Sequence, residues 1–119
     1  MRLLLFLVMV CLSATAADAK IKVLGKGERM RFDPAGFPAN MKPGYDVMNT
    51  KCNACHSLER VVLAISSGIA PVTGQPFDRM ATKSYGIKML RKPNSNMNRD
   101  DIKAIIGFMN FLLDEAVKQ

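Results

Sequence analysis

A chain of 119 residues with 17 lysines and arginines against 10 aspartates and glutamates carries a net charge of +7, enough chain for one domain with its own core and too little for two. Charge of this sign favours encounter with acidic partners. No interleaved aromatic and basic stretches of the kind that stack bases accompany it, so nucleic acid is not an expected partner. Residues 1–19 are expected to form a secretory signal peptide, because Arg2 precedes an unbroken apolar run from Leu3 to Leu12, and small residues at Ala17 and Ala19 suit cleavage after Ala19. That apolar run falls well short of the roughly 20 residues a membrane-spanning helix needs, and no stable membrane insertion is expected. Without Arg2 the remaining chain has 16 basic and 10 acidic residues, or +6.

Residues 20–43 mix charge with Gly25, Gly27, Pro34, Gly36, Pro38 and Pro43, which predicts an extended N-terminal arm or loops. Pro43 and Gly44 then open a short helix, in which Tyr45, Met48 and Cys52 are spaced to share one face. Between Ser57 and Asp78 an apolar stretch from Val61 to Ile65 predicts a brief helix. Ser66, Ser67, Gly68, Pro71, Gly74 and Pro76 follow it and predict a loop. A further helix is expected from about Phe77 to Leu90, with Gly86 counting against it and Pro93 ending it. The last helix has the clearest signature: Asn98 can cap it, and Asp100 and Asp101 lie at the positive end of its dipole. Ile102, Ile105, Ile106, Met109, Leu112 and Leu113 make its apolar stripe. No strand pattern competes, so the fold is expected to be all-α.

Cys52-Asn53-Ala54-Cys55-His56 has the spacing C-x-x-C-H, the haem attachment signature. Two thiols separated by two residues on a helical turn reach the two vinyl groups of neighbouring pyrroles, and the next side chain then points at the iron, making His56 the proximal ligand. From the frequencies of Cys and His in this chain, chance gives about 0.0006 such pentapeptides per sequence. A redox dithiol of the thioredoxin kind uses the same C-x-x-C after a strand within βαβ units, and a helical sequence lacks that setting. Structural zinc needs a fourth ligand, and after Cys11 is removed with the signal there is no further Cys or His to give one.

With no second histidine, the sixth iron ligand is expected to be methionine sulfur, which favours ferrous iron. Met30 and Met41 lie in the arm, Met48 belongs to the first helix and Met109 to the stripe of the last, which leaves Met80, Met89 and Met97. Met97 directly precedes the cap Asn98, where an apolar residue commonly packs back as a staple. Met89 stands where the helix must end before Arg91-Lys92-Pro93, a place suited to delivering a ligand. Met89 is therefore preferred, with Met97 and then Met80 behind it.

From Gly44 to the C-terminus the chain resembles a class I c-type cytochrome. Gly44 and Met48 match the family's glycine eight residues and bulky residue four residues before the first cysteine. Asp100, Asp101 and Phe108 match its acidic-started closing helix with an aromatic near the middle. The stretches K-C-N-A-C-H-S-L-E-R at 51–60 and K-M-L-R-K-P-N-S-N at 88–96 are similar to small monohaem bacterial cytochromes that carry a Met before R-K-P-x-S. The resemblance implies a cytochrome c domain over 44–119, with three to four helices around one covalently attached haem c and the first and last helices crossing closely over Gly44. It implies cofactor binding by Cys52, Cys55, His56 and Met89, with iron held by His56 and Met89. Leu90 departs from it, since the family commonly has a proline beside the ligand methionine. By the same likeness the Pro71 carbonyl would accept the outer proton of the proximal histidine, while Arg60, Arg91 and Lys92 would balance the haem propionates.

The function so implied is single-electron transfer in the periplasm between redox partner proteins, without turnover of a substrate. Two other readings stay open on sequence alone. One is a haem-bearing subunit of a larger dehydrogenase, and the other a haem sensor or enzyme with an open sixth position.

Overall fold

A computed structural model describes residues 21–118; the expected signal peptide lies outside them. Four α-helices among the described residues follow the sequence signals closely. Helix α1 (Lys42–Thr50) carries Pro43 in its first turn, where a missing N–H costs no helical hydrogen bond. Helix α2 (Glu59–Ser67) stops on Gly68, whose φ of 72° is a left-handed conformation open to glycine because it has no Cβ. Helix α3 (Arg79–Leu90) starts after the expected Phe77, because Asp78 is the cap and its Oδ1 accepts from the Ala81 amide at 2.9 Å. Helix α4 (Arg99–Val117) starts as expected. The Asn98 side chain accepts from the Asp101 amide at 2.9 Å, and Asp101 Oδ2 accepts from the Asn98 amide at 3.0 Å, a reciprocal capping box.

The chain is mostly helical, with one departure from the all-α expectation. Strands β1 (Val23–Leu24) and β2 (Arg31–Phe32) pair antiparallel, Val23 with Phe32 and Leu24 with Arg31. Gly25 and Gly27, at φ of 77° and 54°, turn the chain between them. Two residues per strand are too few to display an alternating pattern. The pairing also gives the arm a fixed shape: Phe32, 1% exposed, inserts into the core.

Helix α4 is the spine against which α1, α2 and α3 pack. Its expected stripe is inward-facing, Ile102, Ile105, Met109 and Leu112 being buried and Ile106 and Leu113 partly so. Phe108 joins them with no exposed surface, a burial worth about 1.5–3 kcal/mol. At the α1–α4 crossing the backbones nearly touch: a Cβ on Gly44 would lie 2.4 Å from the Ala104 carbonyl oxygen and 2.6 Å from Phe108 Cβ. Phe37 of the arm packs edge-on against Tyr45, Phe108 and Phe111, at centroid distances of 5.9, 5.4 and 5.7 Å. Gly86, expected to weaken α3, is buried beside α4, where a Cβ would stand 3.0 Å from the Ile106 side chain. The Thr82 hydroxyl, also buried, bonds to Asn110 Oδ1 at 2.7 Å and fixes the register of α3 on α4. No helix among the described residues is long and apolar enough to cross a membrane.

Candidate functional site

Chain direction out of α1 places the cysteine motif. Cys52, Asn53 and Ala54 form one 3-10 turn directly after the helix, so Met48 and Cys52 follow each other toward the interior, the first buried and the second half-buried. Cys55 and His56 are exposed, and both cysteines are free thiols. Burial, and secondarily the nearby Cys55, push the Cys52 thiol above its ordinary range. A raised value keeps it protonated near neutral pH, whereas reactive dithiols depend on a lowered one.

His56 Nδ1 lies 2.9 Å from the Ser57 carbonyl oxygen. A carbonyl only accepts, so a hydrogen bond there puts the ring proton on Nδ1 and leaves the Nε2 lone pair free to bind a metal. The carbonyl partner expected from Pro71 is thus supplied by Ser57 instead. The intervening loop brings Pro71 to the same site without giving it that bond. The loop is folded by its own backbone: the Ala70 amide donates to Gln75 O (2.9 Å), Gly74 to Ala70 O (2.8 Å) and Phe77 to Gly68 O (2.8 Å).

These residues open onto a cavity of about 550 Å³, within the size range of cofactor and small-molecule sites. Cys52, Cys55 and His56 line it from the motif, Met89 from the last turn of α3, and Met97 from the segment leading into α4. Helices α1 and α4 add Met48, Ile102, Ile105 and Met109, while α2 and its loop add Val61, Ala64, Ala70 and Pro71. Met80, 79% exposed and outside this lining, is removed from the candidate ligands. Met89 and Met97 are both half-buried in the lining and both remain.

The charged part of the lining is entirely cationic: Lys51, Arg60, Lys88 and Lys92, with no carboxylate. Lys51 is paired with Asp101 at 2.6 Å, and among the described residues no salt bridge engages the other three. Of the basic residues expected to face propionates, Arg60 and Lys92 line the cavity, whereas Arg91 belongs to a shallow neighbouring depression with Lys88 and Lys92. Lys88, in the last turn of α3, is a further basic lining residue beyond those the sequence indicates. Met48, expected in the first helix, and Met109, expected in the stripe of the last, are buried, yet they also face the cavity. The helical spacing from Met48 to Cys52 carried that information. Tyr85, packed on Phe77 at 5.7 Å, is a further lining residue that no sequence signal marked. Compared with protein families, curated proteins and solved structures, the chain matches none of them.

Proposed function

We propose that this chain is a periplasmic single-electron carrier that holds one haem c, of the class I cytochrome kind. The observation that carries the proposal is one apolar cavity onto which both motif cysteines, His56, the candidate ligands Met89 and Met97, and Arg60, Lys88 and Lys92, which have no carboxylate partner among the described residues, all open. Apolar walls with a few cations fit an apolar macrocycle bearing two carboxylates. A haem iron, when bound, supplies one-electron redox chemistry.

The residues divide the work. The Cys52 and Cys55 thiols provide the two thioether links, and His56 offers Nε2 while Ser57 holds its other nitrogen. Met89 provides the sixth ligand, leaving no open position for substrate, which favours a carrier over a sensor or enzyme. Arg60, Lys88 and Lys92 face the carboxylates. The apolar lining would keep water from a bound haem and surround it with a medium of low polarity. The close packing of α1 on α4 over Gly44 supports the same assignment, because it is the helix crossing that the resemblance implies.

Mass spectrometry and an absorption spectrum of the protein purified from cells with working cytochrome maturation test this directly. The expected product carries the mass of one covalent haem, shows the weak far-red sulfur-to-iron band when oxidised, and resists carbon monoxide when reduced. A colourless product overturns the proposal; a coloured one that binds carbon monoxide readily and lacks the far-red band would replace the carrier with a sensor or enzyme.

A further inference from the structure

The residues just before the cysteine motif and just after Met97 meet at a single carboxylate oxygen. Asp101 Oδ2 accepts from Lys51 Nζ at 2.6 Å and from the Asn98 amide at 3.0 Å. Lys51 directly precedes Cys52, and Asn98 directly follows Met97. The Lys51 and Asp101 side chains are 31% and 15% exposed, against 62% and 53% for Arg79 and Asp114, the other bridge of 2.6 Å. Shielding from water strengthens a charge-assisted hydrogen bond of this kind.

What the bridge restrains is the segment between α3 and α4. Its near end is tied to α3, the Ser95 hydroxyl donating to Leu90 O at 3.2 Å and the Lys92 amide to Met89 O at 3.1 Å. Between the ends, Asn94 and Asn96 stand at φ of 59° and 52°, a left-handed region that asparagine tolerates and most L-residues resist. The far end is fixed by the capping box and, through it, by Lys51. A strained segment persists only where its surroundings hold it.

We propose that Lys51 is a positioning residue which, through Asp101, holds the Met89–Met97 side of the cavity closed against the cysteine turn. In terms of function the inference rests on the haem proposal, since closure there limits access to the sixth ligand position. Its effect is read by titrating oxidised holoprotein with imidazole, which competes for that position. Lys51→Met is expected to bind imidazole about tenfold more tightly than wild type, a change of the size one charge-assisted hydrogen bond supports. Lys51→Arg, keeping the charge, restores wild-type affinity.

Asp114→Asn is the control for mere loss of stability. It breaks a bridge of the same length between α3 and α4 whose two residues lie outside the cavity lining, and it should leave imidazole affinity unchanged. Asp101→Asn gives a second variant with the Lys51→Met phenotype, should Lys51→Met fold poorly. Wild-type imidazole affinity in both clamp variants, or an equal shift in Asp114→Asn, overturns the inference. A colourless protein overturns the haem proposal instead, and the clamp is then decided by amide hydrogen exchange over residues 92–98. Lys51→Met must speed that exchange while Asp114→Asn does not; equal rates overturn the clamp.

Discussion

A single hydrogen at position 44 sets how closely α1 approaches α4. Adding a methyl there would drive a carbon against the Ala104 carbonyl and Phe108 Cβ, neither of which is the far end of a flexible chain. Gly44→Ala should therefore destabilise the fold by about 1–3 kcal/mol, even though alanine is the better helix former. Gly107→Ala, on the same α4 but with nothing within 4 Å of the added carbon, should stabilise by about 0.5–1 kcal/mol through reduced backbone entropy. Urea unfolding of the two variants checks this, and equal destabilisation of both would remove the special role of the crossing. For the ligand, Met89→Ala should abolish the far-red band of the oxidised protein and Met97→Ala should preserve it, the opposite pattern assigning the sixth position to Met97. The sequence distinguished the three motif positions better than the methionine for a physical reason. Thioether attachment demands a fixed spacing of two thiols and an imidazole, whereas a thioether ligand can arrive from any segment that reaches the cavity, and both Met89 and Met97 reach it. Likewise the Ser57 carbonyl was hidden from inspection, because every residue owns a carbonyl and only the folded backbone chooses which one faces Nδ1.

Helices with side-chain caps were legible because the cap is written in residue type. Asn98 and Asp101 mark the start of α4, and Asp78 caps α3 one residue after the Phe77 from which the helix is expected. The two short strands were not legible, since two residues each give no period. Asp101 couples the end of α1 to the start of α4 in a way that depends on pH. Hydrogen bonding from Lys51, then from the Asn98 amide, holds its carboxyl below the ordinary carboxylate range. A group whose pKa is lower folded than unfolded contributes stability above its unfolded value, about 3.9 for aspartate, and loses it as pH falls through the folded one. The stability gap between wild type and Asp101→Asn should accordingly be constant from about pH 7 to 5 and close as pH drops below about 4. Denaturant titrations across that range measure it, and a gap that persists undiminished in acid would show that the carboxylate charge is not its source.

At the scale of the whole molecule, composition gives no sign that the N-terminal segment is part of the core. Glycines and prolines over residues 20–43 read as an arm, yet Phe32 and Phe37 seat that segment on the α1–α4 crossing through ring contacts with Phe108 at 6.4 and 5.4 Å. Aromatic residues in a loop-like stretch carry no period, so only long-range packing assigns them to the interior. Net charge is the other property visible at this scale, and on the proposed function it bears on how electrons would reach the cavity. Among the described residues lining the cavity only cations are charged, and the chain without its expected signal peptide has an excess of six positive charges. Exposed charges attract an oppositely charged partner over a distance set by the ionic strength, about 10 Å at 0.1 M salt. Bimolecular oxidation of the reduced holoprotein by an anionic inorganic oxidant should therefore slow as salt is raised from about 0.01 to 0.5 M, while oxidation by a cationic reagent of equal driving force should accelerate. Stopped-flow rates at the haem absorption band report both. If the two reagents respond alike, electrons leave through a surface where the charge of the chain is not felt, and the cationic lining serves the bound cofactor alone.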